Sequence, residues 1–258
     1  MKILALYDIH GNVDALDAVL ADPRAAGADL VVVGGDAVPG PFCHEVLDRL
    51  QALRPPVVWV RGNGEREVAA AAAAAAEPGD PPTAAGSGVG EAADRTDVAA
   101  ITAHRTARRL GAHRARALGG LPLTIERDGV LLCHATPRRD DELLTRLSPV
   151  RRFEQALQGV TARLVVAGHT HQQDDRAVGD MTFVNAGSVG LPYEGDGAAR
   201  WLWVDDGEPR LLSTTYDCAT AGRRMLEAGW PDEESITASL IDPIDPAEVT
   251  GLFEQAAS

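Results

Sequence analysis

KILALYDIHGN, residues 2–12, is the segment from which the architecture of this chain follows. The mostly apolar residues 2–7 predict a short buried strand, which ends at the polar side chains of Asp8 and His10. The segment that comes next, 13–20, carries apolar residues at the spacing of an amphipathic helix. A strand that passes through a polar loop into a helix is the repeating unit of a parallel α/β sheet.

The same unit occurs twice more along the chain. Residues 30–33 form an apolar run that ends in Gly34-Gly35-Asp36, and residues 57–60 form another that ends in Arg61-Gly62-Asn63. Because ligands of open α/β sheets bind beyond the carboxyl ends of the strands, these polar clusters are expected to meet at one site. Further elements are predicted by the same patterns: strands at 123–126, 130–133, 164–167, 181–184, 201–204 and 211–216, and a helix over about 140–158.

The chain has 258 residues, with 38 acidic against 24 basic side chains and a formal net charge of −14. A surface of this sign repels nucleic acid backbones and anionic membranes, so neither a nucleic-acid duplex nor a membrane is expected as a partner. The three cysteines are widely spaced and show no disulfide framework or zinc-binding pair, which favours a reducing compartment. The apolar start is too short for a signal peptide and no apolar run is long enough for a membrane span, so a cytoplasmic protein is expected.

Two segments depart from the strand–helix pattern within what is expected to be a single domain over the whole chain. The first, 64–118, contains an alanine-rich helix at 68–76, a flexible loop rich in proline and glycine at 77–94, and a helix at 96–118. It is interpreted as an insertion that could close over a site or be a harmless addition. The second, 217–258, is expected to be a C-terminal extension of short helices interrupted by prolines.

Seven polar side chains follow the predicted strands: two carboxylates, four imidazoles and one amide. They are Asp8, His10, Asp36, Asn63, His134, His169 and His171. This mixture of oxygen and nitrogen donors suits manganese, iron, zinc, cobalt or nickel better than calcium. Seven side chains are too many for one tetrahedral site, but they are enough for two metal ions if one carboxylate bridges them.

The order of these residues resembles the sequence blocks of the calcineurin-like metallophosphoesterases. The blocks are Asp8-Ile9-His10-Gly11-Asn12, Gly34-Gly35-Asp36, Gly62-Asn63-Gly64-Glu65, His134 and Gly168-His169-Thr170-His171. The segment VNAGSVG, residues 184–190, extends the likeness to small bacterial and archaeal phosphodiesterases, a branch that includes enzymes acting on dinucleoside polyphosphates. The resemblance implies an α/β fold, a four-layer α-β-β-α sandwich of two mixed β-sheets with a helical insertion and C-terminal helices.

The resemblance also implies a role for each donor. One metal ion would be held by Asp8, His10, Asp36 and His171, and the other by Asp36, Asn63, His134 and His169, so that Asp36 bridges the two. Manganese is the metal expected first, with iron, zinc, nickel or cobalt as alternatives. The nucleophile would be a hydroxide that bridges the metals and attacks phosphorus in line, and Asn63 and His134 are the side chains expected to take part in catalysis.

The sequence departs from the family at Gly64, where many members carry a histidine that is thought to protonate the leaving oxygen. Without an acid there, substrates with weakly basic leaving groups are favoured, and Gly64→His is expected to raise activity on poor leaving groups. Glu65 is interpreted either as a replacement acid or as a partner of the helix dipole. His104 and His113 are further candidate acids if their helix folds over the site.

Two features near these blocks each allow a functional and a structural interpretation. Asn12 could hydrogen-bond the substrate phosphate or cap the helix that begins at Val13. The five arginines of segment 105–116 could grip phosphate or form a solvated helix face.

The function expected from these residues is that of a two-metal phosphoesterase. It would hydrolyse phosphodiester or phosphoanhydride bonds in a small phosphorylated substrate, such as a nucleotide. The alternatives are a phosphomonoesterase or protein phosphatase on the same site, and a binding scaffold without catalysis. The residues leave open whether the chain forms a homo-oligomer.

Overall fold

The computed structural model describes residues 1–75 and 91–257. Within these residues the chain forms ten strands: β1 (Lys2–Leu6), β2 (Leu30–Val33), β3 (Val57–Trp59), β4 (Thr124–Arg127), β5 (Val130–Cys133), β6 (Leu164–Ala167), β7 (Gln173–Val178), β8 (Met181–Ala186), β9 (Ala199–Asp205) and β10 (Glu208–Thr214). The α-helices of the same ranges are α1 (Val13–Leu20), α2 (Cys43–Gln51), α3 (Asn63–Ala74), α4 (Glu91–Leu110), α5 (Ala112–Gly119), α6 (Val150–Ala156), α7 (Cys218–Glu227), α8 (Glu233–Ile236) and α9 (Pro246–Ala256). A 3₁₀ turn at Ala25–Gly27 and a π-helical turn at Thr237–Ile241 complete them.

The strands form two mixed sheets of five strands each. The first has the order β10-β9-β1-β2-β3, in which β1, β2 and β3 are parallel and β9 runs antiparallel to β1. The second has the order β4-β5-β6-β8-β7, with β5, β6 and β8 parallel and antiparallel strands at both edges. Helices flank the two sheets, and the predicted α/β sandwich is thereby confirmed.

Successive residues of β1 alternate between two cores, because side chains of a strand point to opposite faces in turn. Ile3, Ala5 and Tyr7 face the second sheet and pack against residues of β5, β6 and β8. Leu4 and Leu6 face outward and pack against α1, α2 and α3. Helix α6 covers the outer face of the second sheet. A strand buried on both faces reads as a continuous apolar run, which is why β1 is visible in the sequence.

Tyr7, the residue after β1, joins the two sheets beneath the carboxyl ends of their strands. Its hydroxyl donates to the carbonyl of Val166 at 3.1 Å. A Cβ atom at Gly34 would lie 2.0 Å from the Tyr7 ring, and one at Gly168 would lie 2.7 Å from it. Both positions therefore require glycine, and the loops that follow β2 and β6 can approach each other over the ring.

Two helices differ from the sequence predictions. Over 140–158 only α6 is helical, because Pro149 immediately precedes it and disfavours a continuous helix through this segment. The helix predicted over 96–118 is instead two helices, α4 and α5, separated at Gly111, which has a left-handed φ of +77°.

Two other elements are placed differently from the predictions. Helix α4 begins at Glu91, inside the loop predicted over 77–94, and residues 77–90 of that loop lie outside the described part of the chain. Strand β7 has no counterpart in the predictions, because its sequence, QDDRAV, is mostly polar and lies at a sheet edge. Among the helices of the described residues, none has the length and apolar character that crossing a bilayer needs.

The contact between Gly34 and Tyr7 can be tested by Gly34→Ala. The added methyl group must displace the buried ring, so we expect a loss of about 1–3 kcal/mol in the free energy of unfolding, measured by urea denaturation. Gly251→Ala in α9 is the matched control, since a Cβ there meets no atom within 4 Å. Equal unfolding midpoints for the two variants would contradict the packing described here.

Candidate metal centre

The seven donors predicted from the sequence lie at the carboxyl ends of strands, and both sheets contribute to the set. The first sheet supplies Asp8 and His10 after β1, Asp36 after β2, and Asn63 at the start of α3 after β3. The second sheet supplies the donors after β5 and β6: His134, His169 and His171. The Tyr7 contact described above lies directly beneath this junction.

Five of these seven residues have a left-handed backbone, which non-glycine residues rarely adopt. Their φ angles are 53° at Asp8, 47° at His10, 51° at Asp36, 72° at His169 and 57° at His171. In the described part of the chain, two other non-glycine residues share this conformation, and both precede glycine between paired strands: Asp128 and Asp206. Such conformations cost about 1–3 kcal/mol each and persist where the surroundings hold them. The donor loops are therefore held in a high-energy form by the rest of the fold.

Backbone hydrogen bonds continue from the sheet into the donor loops. The amide of Asp8 donates to the Gly35 carbonyl at 3.1 Å, and the amide of His10 donates to the Asp36 carbonyl at 3.0 Å. The Gly190 amide donates to the Asp8 carbonyl at 3.0 Å. These bonds fix the loops after β1 and β2 to each other and explain how the strained residues are held.

The donor atoms form two adjacent groups. Asp8, His10 and His171 make one, and Asp8, Asp36 and His134 make the other, with the ligand atoms of each group within 4.8 Å of one another. In the first group the Nε2 atoms of His10 and His171 are 3.2 Å apart.

The two remaining donors border His134. The Asn63 side-chain oxygen lies 3.2 Å from His134 Nε2. The rings of His134 and His169 are 5.1 Å apart between centroids. The structure thus brings all seven predicted donors into one neighbourhood.

The two oxygens of Asp36 face different histidines. Oδ2 lies 3.8 Å from His10 Nε2, and Oδ1 lies 3.6 Å from His134 Nε2. The backbone amide of Gly64 donates to Oδ1 at 2.7 Å and fixes the carboxylate in this orientation. A carboxylate that presents one oxygen to each side has the geometry that a bridge between two cations needs.

Asp8 is fully buried, and one of its oxygens lacks a hydrogen-bond donor. Oδ2 accepts from the His169 amide at 2.9 Å, whereas Oδ1 has no hydrogen-bond partner among the residues that the structure describes. The Nε2 atoms around Oδ1 lie 3.4 Å away for His171, 3.8 Å for His134 and 3.9 Å for His10. A buried carboxylate oxygen without a donor is costly, and a cation shared with these imidazoles would satisfy it. The residues present therefore fit a divalent metal ion.

Two of the histidines are oriented by carbonyl groups. His134 Nδ1 lies 3.1 Å from the Gly34 carbonyl, and His171 Nδ1 lies 2.7 Å from the Leu191 carbonyl. Because a carbonyl can only accept, each Nδ1 carries a proton, and each Nε2 can bind a metal ion once its own proton is lost.

The protonation states of two other histidines also suit metal binding. Burial, together with the neighbouring His171, lowers the pKa of His10 to about 3. Burial, together with His134, lowers the pKa of His169 to about 3. Both rings are therefore neutral at neutral pH, which is the form that coordinates a metal ion.

The two carboxylates have opposite pKa shifts. Burial raises the pKa of Asp36 well above its usual range, and the charges of Glu65 and Asp8 add to this effect. Burial also opposes the charged form of Asp8, but His171 and His134 outweigh it, so the pKa of Asp8 lies below its usual range. A cation between the two would favour the ionised form of Asp36 as well.

Glu65 has a structural role that the sequence predictions missed. Its buried carboxylate accepts from the amides of Asp36 at 2.8 Å, Gly62 at 2.8 Å and Val38 at 3.3 Å. It therefore fixes both the turn that carries Asp36 and the start of α3. The available signal was its spacing of three residues from Gly62, which is that of a helix capping box.

Gly64 is required by its surroundings. A Cβ atom there would lie 2.2 Å from the Val38 carbonyl oxygen and 2.9 Å from Asp36 Oδ1. The loop after β2 thus fills the space where a side chain would begin. The expectation that Gly64→His would raise activity on poor leaving groups stays a prediction, and in this geometry a histidine must first displace that loop.

Asn12 caps helix α1. Its side-chain oxygen accepts from the Ala15 amide at 3.0 Å, and its Nδ2 donates to the Gly190 carbonyl at 2.9 Å and to the Tyr216 hydroxyl at 3.0 Å. These contacts account for the buried side chain as a cap. A contact of Asn12 with phosphate stays a prediction.

Three of the five arginines of segment 105–116 contact other parts of the chain. Arg105 donates to the Gly229 carbonyl, and Arg109 donates to the Pro41 carbonyl. Arg114 pairs with Asp48 of α2. These contacts support a structural role for three of the five.

The two histidines on these helices have different surroundings. His104 Nδ1 lies 2.9 Å from the Ala100 carbonyl within α4, and His113 is exposed. An acid role for either stays a prediction.

Comparison with known proteins identifies relatives of this architecture. The family model described as the calcineurin-like phosphoesterase superfamily domain matches residues 1–205. A metallophosphoesterase from Sphaerobacter thermophilus has 23% sequence identity, with 92% of this chain and 98% of that chain covered and a TM-score of 0.68. A hypothetical protein from Pyrococcus horikoshii OT3 has 20% identity, with 95% and 99% covered and a TM-score of 0.74. No curated protein matches the chain.

The role of Glu65 can be tested by Glu65→Ala. The substitution leaves three amides without their acceptor, and each buried unpaired group costs about 1–3 kcal/mol. We expect urea unfolding to show a loss of stability and calorimetry to show weaker binding of a divalent metal ion, since the Asp36 turn is released.

Glu248→Ala is the matched control, because Glu248 is an exposed acid in the first turn of α9 and tests the dipole effect alone. If both variants lost the same small amount of stability, Glu65 would be only a dipole partner.

Proposed function

The chain belongs to the calcineurin-like phosphoesterase superfamily, and from this premise we propose that it is a metal-dependent hydrolase of phosphodiester or phosphoanhydride bonds in small phosphorylated compounds. The observation that carries the proposal is the convergence of donors from both sheets on Asp8 Oδ1, a buried oxygen without a hydrogen-bond partner. A scaffold without catalysis would not need this complete donor set.

The proposed site holds two divalent cations, with manganese as the first candidate. Asp8, His10, Asp36 and His171 would hold one, and Asp36, Asn63, His134 and His169 the other, so that Asp36 bridges them. When bound, such a pair supplies Lewis-acid activation of water and of the phosphoryl oxygen.

The chain's own residues prepare the site in two ways. The carbonyls of Gly34 and Leu191 hold the Nε2 atoms of His134 and His171 toward the donor cluster. Burial excludes water from Asp8, so its charge acts in a medium of low dielectric constant. Neither effect needs reorganisation of the protein when a phosphate binds.

The substrate preference follows from Gly64. With the position closed to a side chain, no acid at residue 64 can protonate the leaving oxygen, and such acids contribute about 10²–10⁴-fold. Substrates whose leaving groups are stable as anions depend least on such an acid, so their hydrolysis is slowed least when it is missing. Aryl phosphodiesters and polyphosphate anhydrides are therefore proposed as better substrates than alkyl phosphomonoesters.

The proposal can be tested by metal reconstitution. Protein stripped with a chelator is given manganese, cobalt, nickel, zinc, iron or magnesium, and hydrolysis of an aryl phosphodiester, an aryl phosphomonoester and a dinucleoside tetraphosphate is followed. We expect metal-dependent turnover of the diester or the tetraphosphate and little turnover of the monoester. Preferential turnover of the monoester would favour the phosphomonoesterase alternative, and binding of two metals without any turnover would favour the scaffold.

The bridging role of Asp36 predicts a joint loss of metal and activity in Asp36→Asn. Mutation of a residue that hydrogen-bonds a metal ligand commonly lowers metal affinity or activity by about 10–100-fold. Loss of a ligand shared by both metals should therefore lower kcat/KM by more than about 100-fold. Metal stoichiometry is measured on the same preparation. Asp128→Asn is the control, because Asp128 also has a left-handed backbone but lies in the β4–β5 turn. Retention of both metals and of full activity in Asp36→Asn would rule out the bridge.

A further inference from the structure

Helix α9 reaches the loop that carries His171, although it lies beyond the residues matched by the family model. Gln172, the next residue in the chain, is buried, and its Nε2 donates to the Pro246 carbonyl at 2.8 Å and to the Tyr193 carbonyl at 3.0 Å. Two carbonyls around Nε2 fix the orientation of the amide. Its Oε1 therefore faces α9, where the Thr250 hydroxyl lies 2.8 Å away.

A second contact between α9 and the site passes through aromatic rings. The ring of Tyr193 stacks on the ring of His171, with centroids 5.2 Å apart and an interplanar angle of 14°. Phe253 of α9 meets the Tyr193 ring edge-on, with centroids 6.3 Å apart. The Tyr193 amide also donates to the His171 carbonyl at 3.1 Å. The Tyr193 ring thus packs against the His171 imidazole, and α9 packs against the Tyr193 ring through Phe253.

His171 needs such support, because its backbone is left-handed and its side chain must keep Nε2 toward the site. The φ angle of 57° is held only if neighbouring contacts disfavour relaxation of the loop. The Gln172 amide and the Tyr193 ring provide these contacts on either side of the residue.

The docking of α9 itself has an independent anchor. Glu254 accepts hydrogen bonds from the hydroxyls of Thr145 at 2.6 Å and Ser148 at 2.5 Å, and it lies 3.4 Å from an Arg152 nitrogen. Thr250 is not part of this anchor. Its hydroxyl lies near two acceptors, Gln172 Oε1 and the Pro246 carbonyl, each at 2.8 Å. The contact with Gln172 can therefore be removed while the helix keeps its other attachment.

We propose that α9 is a structural part of the metal centre, in which Thr250 and Phe253 act as positioning residues for His171. They set the affinity of the cation held by Asp8, His10 and His171 and have little effect on the cation held on the His134 side. This inference rests on the proposed function, because it presupposes that both cations bind.

The test compares Thr250→Val with Thr250→Ser in the full chain. Valine keeps the size of the side chain but removes the hydroxyl, whereas serine keeps the hydroxyl. Manganese binding is measured by calorimetry, and folding is checked by urea denaturation. We expect Thr250→Val to weaken one of the two manganese sites by about 10–100-fold and to leave the other unchanged, and Thr250→Ser to retain both affinities.

Two further variants keep the test decisive. Phe253→Leu retains apolar packing but removes the ring, and it should weaken the same site if Thr250→Val does not fold. Glu254→Gln weakens the independent anchor, and it should lower the unfolding midpoint without changing either manganese affinity.

The outcomes separate this inference from the proposed function. Two unchanged affinities in Thr250→Val and Phe253→Leu would overturn the positioning role, and so would an equal weakening of both sites. A wild-type chain that binds no divalent cation would overturn the proposed function, and the positioning role with it.

Discussion

The carboxylates of Asp8 and Asp36 lie side by side in a part of the molecule from which water is excluded. Two such charges repel each other strongly at low dielectric constant, so each needs compensation from nearby groups. The protein supplies one amide donor to each, from His169 and from Gly64, and leaves Asp8 Oδ1 facing three imidazoles. The surrounding glycines, turns and helix starts are explained by the need to hold this pair and its donors in place.

The two-sheet architecture meets that need by bringing loop ends together from opposite sides. Tyr7 ties the sheets beneath the site, and the glycines at 34 and 168 allow the loops to close over its ring. Left-handed residues then turn the donor side chains inward, at an energetic cost that the backbone bonds between loops offset. The left-handed conformations that the site needs destabilise its loops, and the packing of the two sheets compensates for this cost.

Much of this arrangement is readable from the sequence, because each donor follows an apolar run within about four residues. The same patterns do not predict the elements whose conformation is determined by tertiary contacts. Segment 140–158 has apolar residues but is mainly a loop before Pro149, and β7 is a polar edge strand. The sequence allows Glu65 to be an acid or a dipole partner, since no local pattern shows that its carboxylate meets the Asp36 turn. The contact between Thr250 and Gln172 joins residues 78 apart in the chain, and no periodicity signals such a pair.

The division of the donors between the two sheets has a consequence for the life of the protein in a cell. A cation bound by Asp8 and His134 at once would join the N-terminal and C-terminal halves as a non-covalent cross-link. Because a ligand that binds only the folded state stabilises it by mass action, the free metal concentration would set the resistance of the chain to unfolding. Chains synthesised during metal shortage would open more often and meet proteases sooner, so the cellular amount of this protein would follow the supply of its metal.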